Sequence, residues 1–90
     1  MQVWTWDGWG WGTFDIAFPF GTQVINRHSH CVVSICELAQ PQGQPLDFPF
    51  IGAATMRVHN VAPGDDGVLH VRFEIDWNSA LQWRATFFID

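Results

Sequence analysis

The sequence contains no lysine and no tyrosine, and charged residues make up only 14% of its ninety positions. Each shortage excludes something. Binding to a phosphate backbone needs clustered cationic side chains. Four arginines against nine acids, a net charge of −5, cannot supply them, so a nucleic-acid partner is excluded. An anionic membrane surface is disfavoured on the same ground. No segment approaches the roughly 20 consecutive apolar residues of a membrane-spanning helix. The N-terminus lacks the basic start and apolar run of a secretory signal, so the chain as written reads as cytoplasmic. An export segment removed from a longer precursor would place it outside the cell. Charge this sparse, against about 25% in an average globular chain, also leaves apolar surface uncovered.

What is present is aromatic. Six Trp and eight Phe bring the aromatic share to 16%, within 48% apolar residues overall. Ninety residues make one domain (1–90) near the size at which a single core becomes marginal, and large rings compensate because each buries much area.

Alternation and turn punctuation dominate, with no sustained helical period, and the chain is predicted to be all-β. "MQVWTW" is a first short strand ended by "DGWGWG", and "TFDIAFPF" puts Phe14, Ile16, Phe18 and Phe20 on one face. "TQVINRHSHCVVSICELA" is the longest strand candidate, "QPQGQPLDFPF" a Pro/Gly-rich loop, "AATMRVHNVA" a strand and "PGDDG" a turn. In "VLHVRFEIDW", Leu69, Val71, Phe73, Ile75 and Trp77 alternate with His70, Arg72, Glu74 and Asp76. "NSA" then leads to "LQWRATFFID", with Leu81, Trp83, Ala85, Phe87 and Ile89 repeating the pattern. The two segments are expected to form a hairpin with Glu74 opposite Arg84 and Trp77 buried. Six to seven strands in a chain this short predict a compact antiparallel β-sandwich, jelly-roll or immunoglobulin-like, with a small barrel as the alternative.

"RHSHCVVSIC" concentrates the reactive side chains. In a continuous strand, Cys31 and Cys36 lie some 16 Å apart, beyond disulfide reach, and both are expected to pack as small hydrophobes. His28 and His30 form a His-x-His pair, a beginning for a transition-metal site to which His59 and His70 on later strands could contribute. The order His-x-His, Glu37, a Pro/Gly turn and a later His resembles the cupin pattern, which implies a single bound metal. The gap from His30 to Glu37 is longer than in cupins, and the turn lacks their Pro-x-Gly spacing. The alternative is two solvent-facing histidines and no cofactor. No Gly-x-Ser-x-Gly elbow or spaced calcium loop is present.

The most distinctive stretch is "WTWDGWGWG". Trp4 and Trp6 are assigned to the core as strand residues, whereas Trp9 and Trp11 stand between glycines and need a cover: a neighbour, a second subunit or a ligand. Flat indole faces near Asp and Asn suit sugar rings. Phe88 is the lone large apolar residue on the polar face of the last strand. The leading expectation is therefore a non-enzymatic β-sandwich that self-associates, and binds a ligand such as carbohydrate, through Trp9, Trp11 and Phe88. The alternatives are a cupin-like metalloprotein and a structural subunit of a larger homo-oligomer.

Overall fold

The computed structural model describes all ninety residues and contains strands but no helix. Seven strands form: β1 (Gln2–Gly10), β2 (Gly12–Pro19), β3 (Cys31–Ala39), β4 (Phe48–Phe50), β5 (Thr55–Pro63), β6 (Val68–Asp76) and β7 (Leu81–Ile89). One antiparallel sheet has the order β1-β7-β3-β4 and the other β2-β6-β5. The chain is a small β-sandwich. The chain changes sheet between β1 and β2, and the β2–β6 pair nests inside the β1–β7 pair. An immunoglobulin-like sandwich, by contrast, keeps its first two strands in one sheet.

Period-two alternation decides which side chains go inside. Leu69, Val71, Phe73 and Ile75 from β6 are buried in one cluster with Trp83, Ala85, Phe87 and Ile89 from β7. Phe18 and Ile25 complete it, and Phe14, Ile16, Val33 and Ile35 pack around it half-buried. The rings of Phe73 and Trp83 meet with centroids 5.3 Å apart, and those of Phe18 and Phe87 at 4.7 Å. Trp83 lies beneath β1 at Gly8, where any side chain would overlap its six-membered ring. Glycine is required there by close approach.

The expected β6–β7 hairpin does not form. The alternating faces agree with the structure from Leu69 to Ile75 and from Trp83 to Ile89, but β6 pairs with β2 and β5 while β7 pairs with β1 and β3. The segment between them crosses from one sheet to the other. Two one-sided strands can bury their apolar faces side by side against a third layer, or face to face across a sandwich, and the sequence pattern is the same in both cases. Trp77, at the crossing, is 41% exposed instead of buried. Glu74 bonds Arg57 and His59, not Arg84.

The third strand is also shorter than expected, since residues 22–30 form turns and β3 begins at Cys31. Asn26 and Ser29 organise this loop: the Ser29 hydroxyl accepts from the Asn26 amide, and the Asn26 side chain accepts from the His28 amide. Such local bonds compete with a ladder. At the other end, β1 runs on to Gly10 through the glycines expected to stop it.

Candidate docking edge

β1 and β2 are the edge strands of the two sheets and lie on the same side of the sandwich. Trp4 and Trp6 pair with Phe87 and Ala85 of β7 and so point toward the interior. Having no strand beyond them, they remain 46% and 51% exposed. Trp4 meets Phe20 and Trp6 meets Phe18 edge-on, each with centroids 5.7 Å apart. The expectation that these two tryptophans are core is corrected: they face inward, but over the rim. Five of the six tryptophans (Trp4, Trp6, Trp9, Trp11 and Trp77) are exposed, and only Trp83 is buried.

Two open clefts run along this side. One of about 220 Å³ is lined by Trp4, Thr5, Trp6, Phe18, Pro19, Phe20 and Phe87. The other, about 460 Å³, lies at the turn between the sheets and is lined by Trp9, Gly10, Trp11, Phe14, Ile16, Ala80 and Trp83. Trp9 belongs to β1 rather than to a loop, while Trp11 is the single residue linking β1 to β2, followed by Gly12 at φ +78°. A left-handed backbone there favours glycine and lets the chain change sheets in one step. No charged side chain lines either cleft.

The outer face of the β1 sheet carries rows fixed by register. Val3, Phe88 and Val32 stand abreast and are all exposed. Thr5, Thr86 and Ser34 form the next row, then Asp7, Arg84 and Cys36. Arg84 donates Nε and Nη2 to the two Asp7 oxygens at 2.7 and 3.0 Å and also bonds Asp47. The guanidinium holds the Asp7 carboxyl below the usual carboxylate range. On β2, Asp15 accepts two bonds from Arg72 at 2.7 and 2.9 Å, and that hydrogen bonding lowers its pKa. The only acids on the two edge strands are therefore neutralised within the chain.

The histidines do not assemble. His28 and His30 lie in the loop before β3, where His28 Nε2 accepts from Arg27 Nε at 3.3 Å and His30 exchanges backbone bonds with Asp90. His59 sits at the bulge of β5, with Nε2 at 2.8 Å from Glu74. Its hydrogen bond, with that of Arg57, lowers the Glu74 pKa. His70 lines a shallow groove with Asp15, Asn60 and Arg72. Glu37 is at the far end of β3 from His30, roughly 20 Å along an extended strand. No group of three or more His, Cys, Asp or Glu side chains gathers where it could hold a metal ion.

The cysteines are both free and half-buried. Cys31 points inward against the core, and burial pushes its thiol pKa up. Cys36 faces out beside Arg84. No helix is long and apolar enough to cross a membrane.

A scan against family models and searches of curated proteins and of solved structures each gave no match. The site is thus read from its own geometry.

Proposed function

We propose that the protein is a non-enzymatic β-sandwich module that self-associates through the β1–β2 side, as a structural subunit of a homo-oligomer. One observation carries this reading: two edge strands, stacked on one side, expose Trp4, Trp6, Trp9 and Trp11 with the acid of each strand already paired. Exposed apolar area is stabilised only when something covers it, and indole is among the side chains enriched at such contacts. A second copy fits because Asp7 and Asp15, the acids of the two edge strands, are each paired with an arginine, so the edge brings no unpaired charge against its own copy. Light scattering tests it: the wild type is expected to show a mass above one chain at high micromolar concentration, and Trp6→Lys a mass of one chain. A wild-type monomer overturns the proposal.

A small-ligand reading is favoured by the Trp9–Trp11 cleft, an open apolar groove with two exposed indoles and no charge. That chemistry suits the flat face of a neutral sugar ring. Quenching or a shift of tryptophan emission on titration with neutral oligosaccharides, lost in Trp11→Ala, is the expected result. Unchanged emission across the series removes this reading. The metalloprotein alternative has no donor set to rest on.

A further inference from the structure

The docking edge is a strand as well as an aromatic surface, and its backbone and side chains together select how a second copy would meet it. β1 offers nine residues, about 30 Å of ladder, with one side paired to β7 and the other unpaired. It contains no proline, no bulge and no lysine, the features that normally blunt a sheet edge. The nearest alternative, β2, ends at Pro19, which cannot donate to a new ladder.

We infer that β1 pairs antiparallel with β1 of a second copy about a two-fold axis at Trp6, joining two four-stranded sheets into one of eight. This rests on the self-association proposed above and specifies its geometry. An axis perpendicular to the sheet requires each residue to meet one of the same face, so the axis passes between the two copies of one β1 residue and registers differ by steps of two. With Trp6 on the axis, all nine residues of the strand are paired. Trp4 then lies opposite Gly8 and Gln2 opposite Gly10, while the two Trp6 indoles meet each other at the axis. On the outer face, Val3 meets Trp9 and extends the Val3–Phe88 row, while Thr5 meets Asp7, whose carboxylate can accept its hydroxyl. Moving the axis to Asp7 places two carboxylates face to face. Moving it to Thr5 sets Val3 against Asp7 and Trp4 against Trp6, and leaves Trp9 and Gly10 of each copy without a partner in the strand. The pairing of all nine residues and the separation of the two Asp7 carboxylates together select the Trp6 register.

Amide hydrogen exchange on the wild-type protein tests the pairing, beside its mass from light scattering. In the assembled protein, the β1 amides directed away from β7 are expected to slow at least tenfold between low and high micromolar concentration. For the register, Val3→Cys and Trp9→Cys chains, each also carrying Cys31→Ser and Cys36→Ser, are mixed and treated with a short bismaleimide. The mixed cross-linked dimer is expected in several-fold excess over either homodimer. An oligomer whose β1 amides exchange at the same rate at every concentration overturns strand pairing and leaves self-association standing. Slowed amides with no excess of the mixed dimer overturn the register, and a wild-type mass of one chain overturns the pairing and the functional reading together.

Discussion

The two sides of the sandwich treat their strand edges in opposite ways. On the β4–β5 side, β4 is three residues long and has Pro49 at its centre. There β5 is interrupted by a register shift between Val58 and Asn60 and closes at Pro63. Short length, proline and a bulge are the usual devices against edge-to-edge pairing, and Arg57 adds charge through its pairs with Glu74 and Asp76. Apolar residues are exposed on this side too, Phe48, Phe50 and Ile51 among them, but over no continuous ladder. The β1–β2 side has the long, unbulged strand, the tryptophans and the neutralised acids. Exposed apolar area is common to both sides, so what separates them is whether a backbone ladder accompanies it.

The comparison can be broken at its foundation first. Trp83 holds β1 over the core, and Trp83→Ala is expected to cost about 3–5 kcal/mol in denaturant titration. Gly8→Ala pushes a methyl into the same ring and is expected to cost about 1–3 kcal/mol, with β1 losing order before the β5–β6 pair in hydrogen exchange. A global loss with no priority for β1 would show that the edge is not separately seated on Trp83.

Charge exchange sharpens the contrast at lower cost to folding. Trp6→Lys is expected to weaken association at least tenfold while moving monomer stability by about 1 kcal/mol, since its side chain is already half in water. Arg57→Glu, the same kind of change on the opposite side, is expected to leave association unchanged. It should alter stability by less than about 1 kcal/mol, as exposed ion pairs do. Equal effects of the two on association would erase the distinction.

The smallest expected effect is electrostatic. Asp7 and Glu74 both have lowered pKa values in the folded chain, so the stability each contributes is present above its unfolded value. It is lost as pH falls through the folded value. For Asp7 this begins below about pH 4 and leaves the Arg84 guanidinium with one partner fewer beside the edge. Association is expected to weaken modestly in that range, and the weakening to be absent in Asp7→Asn. An acid effect of equal size in that variant would assign it elsewhere.

Much of this was legible in the residues. Alternation placed Leu69 through Ile75 and Trp83 through Ile89 on apolar faces, and the strand count and sandwich class followed. Pairing was not legible, because burial across a sandwich and burial along one sheet use the same period, and alternation alone makes β6 and β7 look like a hairpin. The loop that carries the His-x-His pair is not visible to alternation, which ignores side-chain bonds such as those of Asn26 and Ser29. Trp9 and Trp11 were singled out by their flanking glycines, and both line the edge. The exposure of Trp4 and Trp6 is not legible from alternation, because a side chain that points inward over a rim is not thereby buried. Only strand order shows that β1 has no neighbour on one side. A signal did exist in the run "WTWDGWGWG", where alternating Trp and Gly on a strand without lysine or proline marks an edge that is not blunted.

The most direct test is the mass of the wild-type chain by light scattering from low to high micromolar concentration, with Trp6→Lys measured alongside. A mass that rises to two chains or more for the wild type and stays at one for Trp6→Lys is the predicted result. A wild-type mass of one chain throughout, or an unchanged oligomer in the variant, would contradict the assignment of the β1–β2 side as the surface of association.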